Sequence, residues 1–170
     1  MKLSFKKSWM VILTVLALTF SASGVTPAHT AATLTVNTLA DNTTNGDGLC
    51  TLREAITAAN NNADFNDCTG SSYGADRIVF SVSGTITLGS TLPDITAAGG
   101  ALTINGSGQT ITISGNNAVR VLQVAPSASL TVMNLTIANG LSGNGGGIFN
   151  FGTLTITNST FSGNSGGVGG

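Results

Sequence analysis

The sequence predicts an all-β fold: a right-handed parallel β-helix (β-solenoid) with an N-terminal cap that contains one short α-helix. Short runs such as 102–105 and 110–114 alternate apolar with polar side chains and are rich in Ile, Val and Thr, which is typical of strands. The run 130–137 recurs 24 residues later as 154–161, and a repeat of that length is typical of a solenoid. Gly and Asn clusters separate the runs, where tight turns need a permissive backbone.

Residues 1–32 are predicted to be a secretory signal peptide. Three lysines form a basic start, an uncharged apolar run follows at 9–20, and small residues at 21–32 suit cleavage between about 23 and 32. The apolar run is shorter than the ~20 residues that span a bilayer as a helix. An uncleaved membrane anchor is the alternative. We therefore expect an exported protein, extracellular or at the cell surface, without a membrane span in its mature chain.

The charge balance excludes one class of partner. All three lysines lie in the predicted signal peptide, so only Arg53, Arg77 and Arg120 oppose seven acidic residues in the mature chain. A protein that binds nucleic acid needs clustered basic residues to neutralise phosphates, and this chain has no such cluster in its sequence. Nucleic acid is therefore not an expected partner.

Residues 33–95 are predicted to form the cap and the first coil. Nearly all the charge and both cysteines fall here. In an exported chain, the pair Cys50 and Cys68 favours a disulfide, which closes a short loop and stabilises the fold by about 3 kcal/mol. Two free thiols are the alternative.

The segment after Cys50 predicts the short helix. Thr51 followed by Glu54 fits a capping box, in which each side chain bonds the other residue's backbone amide. One face of the helix is apolar and consists of Leu52, Ala55, Ile56 and Ala59. Consecutive asparagines end the helix near 60–62. We expect the apolar face to cover the open end of the first coil, with Arg53 and Glu54 as ion-pair and cap residues rather than catalytic ones.

The hexapeptide Cys-Thr-Leu-Arg-Glu-Ala at 50–55 resembles the motif that names the CSLREA domain, with Thr51 in place of the motif's serine. Flanking segments agree with that domain, and they are LTV at 34–36, AAN at 58–60, DRIVF at 76–80 and TITL at 85–88. The similarity spans about residues 33–115. It implies an N-terminal module of an exported protein ahead of β-helix repeats, and it brings no biochemical activity.

Residues 96–170 are predicted to be β-helix repeats. Two short motifs, Gly-Gly-aliphatic and Phe-x-x-Asn, are similar to the repeats of polymorphic outer membrane proteins, and they are carried here by Gly146, Gly147, Ile148, Phe161 and Asn164. This resemblance covers the last third of the chain and implies a surface β-helix. The recurring Asn134 and Asn158 are expected to stack as an amide ladder. The glycine runs at 145–147 and 166–170 are expected to be turns between coils.

One loop has the composition of a calcium site. Asp41, Asn45 and Asp47 supply oxygen atoms at spaced positions, and a glycine precedes Asp47. The twelfth position of an EF-hand loop is Leu52 rather than a bidentate glutamate, so we favour an Asx-rich surface loop over a metal site. No cofactor is expected.

Two functions remain open. From residue 96 onward Arg120 is the one charged side chain in the sequence, so no acid–base pair is visible there. We therefore predict a secreted or cell-surface structural, adhesin-like scaffold without catalysis, whose partners are surface glycans or host and cell-surface proteins. The alternative is the N-terminal part of a carbohydrate-active β-helix enzyme, a polysaccharide lyase or hydrolase, whose catalytic coils lie beyond residue 170.

The sequence stops at 166–170, in the middle of a repeat. We therefore expect the chain to be a fragment of a longer protein, monomeric within it. An open last coil exposes strand edges that invite association.

Overall fold

The computed structural model describes residues 31–71 and 74–168 of the chain. The predicted signal peptide lies outside the described residues except for its last two positions. The strands of the described part are β1 (Thr33–Val36), β2 (Asp76–Phe80), β3 (Gly84–Thr87), β4 (Ala101–Asn105), β5 (Ile111–Ser114), β6 (Leu122–Val124), β7 (Ser129–Met133), β8 (Thr136–Ala138), β9 (Leu141–Asn144), β10 (Ile148–Asn150), β11 (Thr153–Thr157), β12 (Thr160–Ser162) and β13 (Ser165–Val168). One α-helix, α1 (Leu52–Asn61), and one 3₁₀ helix, Ala97–Gly99, complete the described elements.

The strands stack in parallel into four sheets that run along one axis. The largest sheet has the order β1-β2-β4-β7-β11, and a second has the order β3-β5-β8-β12. Two further pairs, β6 with β10 and β9 with β13, form the remaining sides. Because successive strands of the chain belong to different sheets, the backbone winds through about 4 turns of a β-solenoid. The predicted parallel β-helix with one short α-helix is therefore confirmed.

The register of the later coils is the one that the repeat predicts. Val132 pairs with Ile156, and Ile137 pairs with Phe161, so the 24-residue offset brings equivalent side chains into contact. Along β7, Leu130 and Val132 are buried while the alternating residues point outward. The interior of the solenoid is therefore a continuous stack of Leu, Ile and Val, and burial of these apolar rows drives the coils together.

The glycine-rich stretch 166–170 was predicted to be a turn, but its first part is a strand. Ser165–Val168 forms β13, which pairs with β9 in parallel register. Neither strand has the alternating apolar pattern that predicts a strand. Strand pairing uses backbone groups alone, so the register set by the neighbouring sheets extends it through glycine.

The expected amide ladder forms between different residues from those predicted. The amide of Asn134 donates to Oδ1 of Asn105 at 3.0 Å and to the hydroxyl of Ser107 at 2.7 Å. In the described part of the chain, the Asn158 side chain makes no such bond to Asn134. Asn134 and Asn158 instead share a left-handed backbone, with φ of 57° and 47°. Asparagine tolerates that conformation better than most residues, which accounts for its recurrence at the turn.

Helix α1 is inserted between β1 and β2, which pair across a gap of 44 positions, Thr33 with Arg77. It contacts β1, β2 and the 3₁₀ helix. The approach to the 3₁₀ helix is close, because a Cβ at Gly99 would lie 2.3 Å from the carbonyl oxygen of Ala59. Helix α1 therefore covers the first two strands of the large sheet. No helix among the described residues is long and apolar enough to cross a membrane.

The last coil leaves apolar side chains uncovered. Ile156 is 45% exposed and Phe161 is 41% exposed, whereas their partners in the preceding coil, Val132 and Ile137, are fully buried. Among the described residues, the outer edges of β11 and β12 have no strand partner. The apolar side chains that are buried in the preceding coil are therefore exposed to solvent in the last coil.

Candidate functional site

The start of helix α1 is held by a reciprocal capping box. The Thr51 hydroxyl accepts from the Glu54 amide at 3.2 Å, and Glu54 Oε2 accepts from the Thr51 amide at 3.0 Å. The other oxygen, Oε1, accepts from the side-chain amide of Asn66 at 2.8 Å. Glu54 is completely buried. The carboxylate is therefore committed to holding the helix start and the loop around Asn66 together.

Replacing Glu54 by alanine should lower the free energy of unfolding by about 2 kcal/mol, because it leaves the buried Thr51 amide without its side-chain acceptor and removes one of the two hydrogen bonds of the Asn66 side-chain amide. Urea denaturation followed by circular dichroism measures the change. Asn61→Ala, at an exposed position of the same helix, is the control and should change stability by less than about 0.5 kcal/mol. Equal stability of the two variants would contradict the structural role of Glu54.

Arg53 forms an ion pair at the next position of the helix. Its Nε and Nη2 donate to the two carboxylate oxygens of Asp41 at 2.9 and 3.0 Å. The same guanidinium donates to the carbonyl oxygens of Thr91 and Ser90 at 2.9 and 2.8 Å. The side chains of Arg53 and Asp41 are 15% and 7% exposed. The ion pair thus joins the helix, the loop before it and the loop after β3.

The two carboxylates of the calcium hypothesis both bond to other groups of the protein. Asp41 faces Arg53 and also accepts from the amide of Gly89 at 2.9 Å. Asp47 accepts from the amide of Leu49 at 2.9 Å, closing an Asx turn, and Asn45 is exposed. Within the described residues no three side chains of His, Cys, Asp or Glu converge on one point. Asp41 is thus bonded to a guanidinium and a backbone amide, and Asp47 to a backbone amide.

Cys50 and Cys68 form the predicted disulfide, with 4.7 Å between their Cα atoms. Both cysteines are buried, and the bridge closes a loop that contains the whole of helix α1. Asn37 adds a further connection, because its Oδ1 accepts from the Cys50 amide at 2.7 Å. The disulfide therefore joins the two ends of the loop that contains the helix, and Asn37 connects this junction to the segment after β1.

Asp76 is a buried carboxyl group at the start of β2, with 2% of its surface exposed. Burial raises its pKa above the ordinary value, and hydrogen bonds from the Ala32 amide and the Ser71 hydroxyl act in the opposite direction. A carboxyl group with a raised pKa binds its proton more tightly in the folded than in the unfolded chain. Its contribution to stability is therefore present at low pH and is lost as the pH rises through the folded-state pKa.

Asp76→Asn removes this titration while keeping an oxygen for the Ala32 amide. Wild type should gain stability relative to the variant as the pH falls from about 7 to about 3. Thermal unfolding of both proteins across this range measures the difference. A difference that stays constant with pH, or that grows as the pH rises, would show that the raised pKa is wrong.

Arg120 is the charged residue of the repeat region, and it links coils. Its guanidinium donates to the side chains of Gln123 and Ser142 and to the carbonyl oxygens of Asn144 and Gly145. It also lies 4.6 Å from the ring centroid of Phe149, a distance at which a cation is attracted to the ring. All these groups belong to the protein, so the arrangement stabilises the stack of coils.

The two repeat motifs meet in space. Asn164 Oδ1 accepts from the Gly140 amide at 2.8 Å, and its Nδ2 donates to the Ile137 carbonyl at 2.9 Å. A Cβ at Gly147 would lie 3.0 Å from the Asn164 side chain. The glycine of the first motif thus leaves room for the asparagine of the second. Ile148 stacks on Leu122, and Phe161 stacks on Ile137.

Three contributors to the cap were not predicted from the sequence. Asp41 was considered as a calcium ligand rather than as the partner of Arg53, and neither Asn37 nor Asn66 was singled out. Each acts through a partner 12 or 13 positions away, in a loop whose path has no local pattern. The signal that points to them is the concentration of Asn and Asp around the cysteines, since such residues bond free backbone groups.

The disulfide, the capping box and the ion pair form one connected cap over the first coil.

No protein-family model matches the chain, and comparisons with curated proteins and with solved structures find no match either.

Proposed function

We propose that the protein is a secreted or cell-surface structural scaffold of adhesin-like character, and that the described coils carry no catalysis. The observation that carries this proposal is the way the charged groups are used. Arg53, Glu54 and Arg120 each bind several groups of the protein itself. A stack of coils with a stapled cap is a rigid rod, and its regular outer surface supports contacts with surface glycans or proteins.

The export of the chain is part of the proposal. The disulfide supports it, because such bonds persist in oxidising compartments outside the cytoplasm. Expression with the leader should place the mature chain in the medium or at the cell surface. Its N-terminal residue, read by sequencing, should then fall at about position 24 to 33.

The alternative is the N-terminal part of a carbohydrate-active enzyme with a β-helix fold. One arrangement favours it: Asp94 accepts from the Gln123 amide at 2.8 Å, and Gln123 accepts from Arg120. A carboxylate and a guanidinium thereby lie on neighbouring coils, and a lyase or hydrolase would use the carboxylate as a base or acid and the guanidinium to bind the substrate.

Beads coated with the purified protein distinguish the two functions. As a scaffold, the coated beads should adhere to immobilised extracellular glycans and cell-surface proteins under flow, above albumin-coated beads, without releasing reducing ends from the glycans. Adhesion no greater than that of albumin would overturn the scaffold proposal. Release of reducing ends or of unsaturated uronides would favour the enzyme.

A further inference from the structure

A shallow groove of about 290 Å³ lies where the chain passes from the five-stranded to the four-stranded sheet. Its polar lining comes from three successive coils and consists of Gln109, Thr110, Asn134, Thr136, Asn158 and Thr160. Its volume is near the lower end of the range for ligand pockets, about 300 to 1,000 Å³. The groove is separate from the cap and from the Arg120 contacts.

The lining repeats with the coils. Thr110, Asn134 and Asn158 follow one another at intervals of 24 residues, and Thr136 pairs directly with Thr160. Neighbouring strands of a sheet are about 4.8 Å apart. The groove therefore offers at least one hydroxyl or amide side chain in each of the three coils along the solenoid axis.

The polar groups of the groove differ from those of the cap in their availability. In the described part of the chain, the side chains of Thr136, Asn158 and Thr160 make no hydrogen bond to the protein. The neighbouring Asn134 is fixed by Asn105 and Ser107 through its Nδ2. The unbonded side chains of Thr136, Asn158 and Thr160 can therefore form hydrogen bonds to a polar ligand, next to the fixed amide of Asn134.

The chemistry of the lining restricts the ligand. None of the lining residues is charged, so a phosphate or a uronate would find no counter-charge there. Each threonine hydroxyl can both donate and accept a hydrogen bond. Each amide side chain donates through its nitrogen and accepts through its oxygen. Ile111 and Leu135 lie beneath them and are almost completely buried, so the groove presents a mainly polar surface. A ligand with neutral hydroxyl groups along its length matches this surface.

We propose that the groove binds a neutral glycan chain that lies along the solenoid axis. The proposal rests on the adhesin-like function and names the class of ligand and the surface that recognises it. The hydroxyls of Thr136 and Thr160 contact successive sugars of the glycan. Recognition is additive over coils, so a hexasaccharide binds more tightly than a disaccharide.

Isothermal titration calorimetry with the purified protein tests the proposal. The probes are the β-1,4-linked hexamers of glucose, mannose and N-acetylglucosamine, with hexagalacturonate as the anionic comparison. At least one neutral hexamer should bind, more tightly than its disaccharide, and hexagalacturonate should give no heat. Absence of binding by all three neutral hexamers, or equal binding of hexagalacturonate, would overturn the proposal.

A double variant locates the binding. Thr136→Val with Thr160→Val removes two hydroxyls and keeps the β-branched shape that suits strands, so affinity should fall at least tenfold. The matched control is Thr131→Val with Thr155→Val, a directly paired couple in the same two coils but on the outer face of the five-stranded sheet. An equal loss in both double variants would overturn the assignment to the groove.

The outcome separates this proposal from the scaffold function on which it rests. If coated beads adhere and no neutral hexamer binds, the groove proposal fails and the scaffold function stands. If a hexamer binds and the threonine variant loses it, while the beads do not adhere, the groove is a glycan site and the adhesin-like function fails.

Discussion

Replacing Arg53 by methionine should lower the free energy of unfolding by about 3 kcal/mol, at the lower end of the cost of breaking a buried ion pair. Methionine keeps the length of the aliphatic stem but removes the guanidinium from the Asp41 carboxylate, which is 7% exposed. The Gly89 amide then remains as a donor to that carboxylate. It also removes the donors to the carbonyl oxygens of Ser90 and Thr91. Both losses act on the junction between the helix and the first coil.

Thermal and urea denaturation measure the effect, which should appear as a fall in Tm of roughly 10 °C. Arg77→Met is the matched control, because Arg77 is exposed on β2 and donates no side-chain hydrogen bond to the described residues. It should change stability by less than about 0.5 kcal/mol. Equal effects of the two substitutions would show that the contacts of Arg53 contribute nothing specific.

A double-mutant cycle isolates the ion pair from the carbonyl contacts. Asp41→Asn removes the charge of the partner and keeps its size. If the pair is coupled, the double variant with Arg53→Met should be less destabilised than the sum of the single variants, by at least about 1 kcal/mol. The part of the Arg53→Met effect that persists in the Asp41→Asn background then belongs to Ser90 and Thr91.

The ion pair also marks where prediction from the sequence ends. The helix could be predicted because its signals are local: the capping box lies within four residues, and the observed helix ends at Asn61 with Asn62 as its cap, within the predicted range. The partner of Arg53 could not be predicted, since a carboxylate 12 positions away reaches it through a loop without periodicity. Long-range pairing of polar side chains depends on the path of the chain.

The strands show the same division. The repeat predicted the pairing of β7 with β11 because the inward-facing apolar positions recur, Leu130 as Leu154 and Val132 as Ile156. It gave no indication of β9 and β13, where Ser, Gly and Asn leave no alternation. These two strands form because the pairing of the adjoining sheets already fixes the spacing and register of neighbouring coils. Their pairing is thus a consequence of the fold rather than a local preference of the sequence.

The candidate groove was not predicted for a related reason. Thr136 and Thr160 are ordinary strand residues in sequence, where threonine facing solvent is the expectation. They form a row only because the strand register places Thr160 directly next to Thr136. The turns at Asn134 and Asn158 line the groove beside this row. A surface built from repeated neutral side chains has no motif of its own.

Removing the disulfide should cost about 3 kcal/mol of stability, the value expected from loop closure in the chain-entropy model. The bridge joins residues 18 positions apart and so restricts the unfolded chain between them. The double substitution Cys50→Ala and Cys68→Ala avoids placing a hydroxyl in the buried site that the sulfur atoms occupy. The Tm should fall by roughly 10 °C.

Reductant provides the control for that substitution. Dithiothreitol should lower the stability of the wild-type protein towards that of the double variant, and it should leave the double variant unchanged. If the variant also responds to reductant, the disulfide is not the source of the difference. If oxidised wild type and variant are equally stable, the bridge does not stabilise the cap.

The loss should be confined to the cap, and hydrogen exchange shows whether it is. The loop closed by the bridge contains α1, whereas β7 and β8 lie two coils away in the stack. In a solenoid each coil contacts only its neighbours, so destabilising one end does not have to unfold the rest. Amides of α1 should therefore exchange faster in the double variant, and those of β7 should keep their protection. Faster exchange throughout would mean that the coils unfold as one unit and that the cap governs the stability of the whole stack.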